Sequence, residues 1–148
     1  MTPQQLMSVR VLWSSLVLSN ALIVVVGMVA IAKITDPSVL DLGRLVPDDS
    51  SVGAIIWFAG WALLAASFVV PQLLIKAAGT SPTTPLSFER MYTPFIISMA
   101  LAEACTLMGF VSALFMGPQV PERMLLPAAA AILVGLTRFP TGLPKRHP

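Results

Sequence analysis

The chain has 148 residues, 56% of them apolar and 11% charged, with a formal net charge of +2. Soluble domains carry roughly 25% charged residues, so this balance, a mean hydropathy of +0.84 and four long apolar runs exclude an ordinary soluble domain. The basic residues are scattered rather than gathered into a patch, which excludes a nucleic-acid interface, and residues 1–148 read as a single integral membrane domain.

The first apolar run covers residues 11–32. At 1.5 Å per residue it is long enough for the roughly 30 Å hydrocarbon core of a bilayer. Arg10, the apolar stretch, and Ala30-Ile31-Ala32 ahead of Lys33 imitate a secretory signal with a small-residue cleavage site. The stretch exceeds the 7–15 residues of a signal core, and Asn20 stands near its middle, so the reading is a retained helix. The loop that follows holds Asp36, Asp41, Asp48 and Asp49 without the spacing of a calcium loop, and reads as a solvated acidic segment.

The second run covers residues 52–70, with Ser50-Ser51 as a cap and Pro71 as its stop. The third covers residues 94–116, with Thr93 as N-cap and Pro94 at the first helical position. Ser87, Glu89 and Arg90 point to a short interfacial helix just before it. The fourth is the shortest, residues 124–139 with Pro127 inside it, or with a start nearer Pro121, where Pro121-Glu122 opens a helix with an acid in its first turn. The tail Lys145-Arg146-His147 suits contact with anionic lipid.

These runs predict an all-α fold, a four-helix transmembrane bundle. One face of the membrane would carry Arg10, Lys76, Arg90, Arg138, Lys145 and Arg146, and the other Lys33, Arg44 and Arg123 with most of the acids. The excess of Lys and Arg predicts both termini on the cytoplasmic side, in a bacterial inner membrane. Trp13 and Tyr92 would mark the inner interface, Trp57 and Trp61 the outer one. Arg138 would snorkel from the inner end of the fourth helix.

The first and third helices overlay with Asn20 on Glu103, Ser15 on Ser98, Leu18 on Leu101 and Ala21 on Ala104; the second and fourth overlay with Pro71 on Pro140. This raises the possibility of two duplicated helical hairpins, with both halves inserted in the same sense. Asn20 and Glu103 each lie nine residues into their runs, roughly 13–14 Å below the inner interface, so the two polar groups can meet. Small residues four apart, Ala62 with Ala66 and Ala131 with Gly135, allow close helix packing, as does Gly109.

Glu103 is the chief candidate for function. An acid at mid-span costs roughly 2.5–3.5 kcal/mol on insertion scales, so it should face the bundle, a partner or water. A carboxyl that holds a proton at rest in an apolar medium and can release it is what a proton carrier needs. Asn20 and Thr106 are its candidate partners for ion binding. Cys105 is the single cysteine and His147 the single histidine, so neither a disulfide nor a Cys/His metal site is expected. No phosphate loop, nucleophile elbow or carboxylate pair is present, so neither a cofactor nor an enzyme activity is expected.

The stretch Ala102-Glu103-Ala104-Cys105-Thr106-Leu107-Met108-Gly109-Phe110-Val111-Ser112-Ala113-Leu114 resembles the carboxylate-bearing helix of the ATP synthase c subunit, the rotor proteolipid. Glu103, Ala104, Gly109, Ala113 and Leu114 carry the match, which is local to about residues 100–114. The resemblance implies that Glu103 picks up and releases H⁺ or Na⁺ within an oligomer or beside other membrane subunits. The alternative is an accessory or assembly protein of the membrane in which Glu103 and Asn20 only hydrogen-bond between helices.

Overall fold

The computed structural model describes residues 3–34, 45–47, 52–77, 88–115 and 121–138. All regular structure in them is helical: α1 (Pro3–Ile34), α2 (Val52–Ala77), α3 (Phe88–Phe115), a 3₁₀ turn (Pro121–Met124) and α4 (Leu125–Thr137). Three of these, α1, α2 and α3, are long and apolar enough to cross a membrane. The acids Asp36, Asp41, Asp48 and Asp49, the Ser50-Ser51 cap, Arg44, Pro140, and the tail residues Lys145, Arg146 and His147 lie outside the described residues.

Both proline boundaries expected from the sequence are absent. α2 continues through Pro71 to Ala77. α3 starts at Phe88 and runs through Pro94, so Thr93 is no N-cap and Glu89 and Arg90 belong to the first turn of α3 itself, while Ser87 lies outside the described residues. α1 likewise begins eight residues before its apolar run, at Pro3. Proline is tolerated inside a membrane helix where another group serves the carbonyl it leaves free.

α3 is the central helix, with α1, α2 and α4 packed around it. α1 runs parallel to it and α2 and α4 antiparallel, so Arg10, Lys76, Tyr92 and Arg138 share one end and the Pro121–Met124 turn sits at the other. α1 packs against α3 and α4, and among the described residues it makes no substantial contact with α2. The first two helices therefore do not form a packed hairpin of the kind that a duplication of the α3–α4 pair would give.

Glycines and small polar groups set the spacing. Gly60 of α2 lies against Cys105 and Met108, where an added Cβ would come within 3.0 Å of the Met108 Cβ and 3.2 Å of the Cys105 carbonyl oxygen. The Ser112 hydroxyl donates to the Gly53 carbonyl at 2.9 Å. Gly109 accepts the Pro127 ring, and Gly27 of α1 accepts Met124 and Phe110. Cys105, Thr106, Ser112, Ala113 and Met124 have no exposed surface at all, so the axis of α3 is the core of the molecule.

Two prolines inside helices, Pro71 and Pro127, explain the long-range hydrogen bonds of Arg138 to the Ser67 carbonyl and of Trp57. Pro71 has no N–H for the carbonyl of Ser67, and Arg138 Nη2 donates to that carbonyl at 3.2 Å and to the Ser67 hydroxyl at 3.0 Å. Its other nitrogen, Nη1, donates to the Ser98 carbonyl of α3 at 3.1 Å, and the guanidinium lies 4.5 Å from the centre of the Phe68 ring. Arg138 is thus turned into the bundle as a clamp across α2, α3 and α4 and does not snorkel away. Pro127 likewise has no N–H for the carbonyl of Arg123, and the Trp57 indole donates to it at 2.8 Å.

The expected belt changes accordingly. Trp57 is buried rather than facing lipid, and the Trp13 indole donates to the Gly135 carbonyl at 2.7 Å. Glu122 and Arg123, expected as loop residues of the outer surface, are folded under the bundle and buried. The reason is the 3₁₀ turn, which brings residues 121–124 back against α3.

Candidate functional site

The candidate site is a seam of four polar side chains where α1 meets α3. Glu103 is half-buried at its edge, and its Oε1 accepts a hydrogen bond from the Ser19 hydroxyl of α1. One helical turn further along α3, Thr106 is fully buried and its hydroxyl donates to Asn20 Oδ1. The Asn20 amide nitrogen donates to the Leu16 carbonyl at 2.9 Å.

Asn20, Glu103 and Thr106 are therefore brought together, but the pairing differs from the sequence expectation. Asn20 is bonded to Thr106, not to Glu103. In two parallel helices at matched depth, successive residues point about 100° apart. Ser19 is the one turned toward the carboxyl, while Asn20 points into the core. Sequence reading passes over Ser19 because a serine in a membrane helix commonly bonds back to its own backbone. Ser14 and Ser15 do so here, both to the Val11 carbonyl, at 2.9 and 2.8 Å. The adjacency of Ser19 to Asn20 was the available signal.

Asn20 of α1 and Glu103 of α3 are used differently. Asn20 is 3% exposed and bonded through both its oxygen and its nitrogen. Glu103 has one oxygen bonded and no hydrogen bond to the other among the described residues. No Lys, Arg, His, Asp or other Glu occurs within residues 11–32 of α1, 52–75 of α2, the rest of 91–115 of α3, or α4. Arg138, at the end of α4, is engaged by Ser67 and Ser98. Cys105 is buried on the other side of α3, with its Sγ 3.9 Å from the Pro127 carbonyl oxygen. No group of three or more His, Cys, Asp or Glu that could hold a metal occurs among the described residues.

The small residues expected at helix contacts divide into two sets. Gly109, Ala131 and Gly135 are buried at the contacts of α3 and α4. Ala66 is half-buried, and Ala62 lies on the exposed face of α2, so the Ala62–Ala66 pair does not form a helix contact within the chain.

Chemically, the seam offers one titratable carboxyl, one hydroxyl aimed at it, and a closed Asn–Thr pair above it. Compared with known proteins, the chain matches no family model, no curated protein and no solved structure. Function rests on the site itself.

Proposed function

We propose that this protein is a four-span membrane protein that takes up and releases a proton, or a small cation in its place, at Glu103, as a carrier subunit of an ion-translocating assembly. The observation that carries this reading is the open oxygen of a half-buried carboxyl on a helix long and apolar enough to cross the membrane. A carboxyl retained only to hold helices together has both oxygens engaged and is sealed in the bundle, as Asn20 is. A carrier needs a group that a proton can reach and leave.

Length supports the fourth crossing. The 13 residues of α4 and the 4 of the 3₁₀ turn reach about 28 Å at ~1.5 and ~2.0 Å per residue, close to the roughly 30 Å core. Both termini then lie on the side of Arg10, Lys76 and Arg138, which the Lys and Arg excess makes the cytoplasmic side of a bacterial inner membrane. The resemblance of residues 100–114 to the carboxylate-bearing helix of the ATP synthase c subunit agrees with a carrier role.

A second reading, an accessory protein with a structural seam, is favoured by one observation, the closed Asn20–Thr106 pair. The two readings part at Glu103. Carbodiimide attacks protonated carboxyls in apolar surroundings. With the protein in lipid across a pH series, modification at Glu103 is expected to fade as pH rises. Glu103→Gln is expected to fold normally, because an amide still accepts from Ser19, and to lose the labelling. A Glu103 unlabelled at every pH overturns the carrier reading and leaves the structural one.

A further inference from the structure

Below Glu103, toward the N-terminal end of α1, hydroxyls line one face of the helix. At 100° per residue, Ser8, Ser15 and Ser19 fall within about 40° of one another. Ser8 and Ser15 are exposed and Ser19 is half-buried. Ser8 donates to the Gln4 carbonyl at 3.1 Å and Ser15 to the Val11 carbonyl at 2.8 Å, so each turns its lone pairs away from the helix. Ser15 and Ser19 are one turn apart, roughly 6 Å, and Ser19 donates directly to Glu103.

Above Glu103 the same seam is closed. Asn20 and Thr106 are buried and bonded to each other. Residues 21–30 of α1 carry no polar side chain. Gly27 brings the backbone of α1 so close to α3 and the 3₁₀ turn that an added Cβ would lie 2.8 Å from the Met124 sulfur and 2.9 Å from the Phe110 ring. Ser112, the next hydroxyl on α3, is turned to Gly53 of α2.

We infer that Glu103 exchanges its proton with one side of the membrane only, the side of the chain's N-terminus, along the hydroxyl face of Ser8, Ser15 and Ser19. The inference rests on the carrier reading of Glu103. Water enters past Arg10 to Ser15. A hydronium ion in that water gives a proton to the Ser19 hydroxyl as Ser19 passes its own proton to Oε1 of the ionised Glu103, leaving neutral water and a neutral carboxyl, and release runs the same steps backward. The Asn20–Thr106 pair and the Gly27–Phe110–Met124 contact block the opposite side. Titration reports Glu103 alone. α1, α2 and α4 present no titratable side chain at its level, and on α3 the nearest, Cys105, faces Pro127.

The test uses the full chain in lipid vesicles with one orientation, impermeant buffers, and pH stepped on one side at a time, with carbodiimide labelling of Glu103 as the readout. Labelling is expected to follow the pH of the N-terminal side and to ignore the other. Ser15→Val is expected to abolish that response and Ser15→Thr to keep it. Ser14→Val, exposed but off the hydroxyl face, is expected to leave it intact. Labelling that follows the opposite side, follows both sides equally, or is indifferent to Ser15→Val overturns one-sided access while Glu103 still titrates. Labelling absent at every pH on both sides overturns the carrier reading and this inference with it.

Discussion

Along the α2–α3–α4 contact, the carbonyls released by Pro71 and Pro127 are served by side chains from other helices, Arg138 and Trp57, and small residues bring the backbones close. Along the α1–α3 seam, α1 leaves most of its apolar surface outside, with 11% of its most apolar window buried against 39% for α3. There the polar groups are served unevenly, Asn20 fully and Glu103 through one oxygen. An unpaired polar group is costly in hydrocarbon, so the two served carbonyls of the first region describe what the fold needs, although the Trp61 indole nitrogen there has no partner among the described residues. A group left half-served in the second marks what the fold alone does not explain.

Four paired comparisons of substitutions sharpen or break this contrast. The largest effect is expected for Arg138→Ala, which strips the Ser67 carbonyl of its donor and the Ser98 carbonyl of a bond. A loss of about 2 kcal/mol is expected, measured by unfolding in detergent micelles. Adding Pro71→Ala returns an amide to the Ser67 carbonyl, so the cost of Arg138→Ala should fall in that background. Equal costs with and without Pro71 would break the account of the clamp.

Gly60→Ala comes next. The new methyl meets backbone and the root of the Met108 side chain, so α2 and α3 must separate, at about 1–2 kcal/mol. At Gly27→Ala the nearest atoms are the end of the Met124 side chain and the Phe110 ring rather than backbone, so side chains can give way and the cost should be less by the same assay. Thr106→Val follows, at about 1 kcal/mol, because it leaves the buried Asn20 Oδ1 unpaired. Replacing both, Asn20→Leu with Thr106→Val, should cost less than Thr106→Val alone. The smallest contrast lies between two tryptophans one turn apart. Trp57→Phe removes the donor to the Arg123 carbonyl, at roughly 0.6 kcal/mol. Trp61→Phe should be near neutral, since the buried Trp61 indole nitrogen has no partner among the described residues.

The boundaries of α2 and α3 were misplaced in the sequence reading for a physical reason. A proline tends to end or kink a helix because it has no N–H for the carbonyl four residues back and its ring clashes with that carbonyl. Here Arg138, 71 residues from Ser67 in the chain, supplies the missing donor, and no local signal announces a partner that distant. The burial of Glu122 and Arg123 escaped for a similar reason, since charged residues beside a proline read as a loop until the 3₁₀ turn packs them on α3. The exposure of Ala62 is a question of which face of α2 meets α3, and that is settled by Gly53, Gly60 and Ser67 on the opposite side.

The sequence alone determined that this is a helical membrane protein and that Glu103, with Asn20 and Thr106 near it, is its unusual feature. Both conclusions come from one-dimensional quantities, the length and hydropathy of a run and the cost of a carboxyl within it. The tertiary structure decided the pairing. Ser19 rather than Asn20 faces Glu103, α1 flanks α3 instead of forming a hairpin with α2, and exposed serines lie along α1 on one side of the carboxyl while the bonded Asn20–Thr106 pair lies on the other. Those outcomes depend on the rotation of each helix about its own axis. That rotation is fixed by glycines, prolines and distant donors acting together, and no single run of residues encodes it.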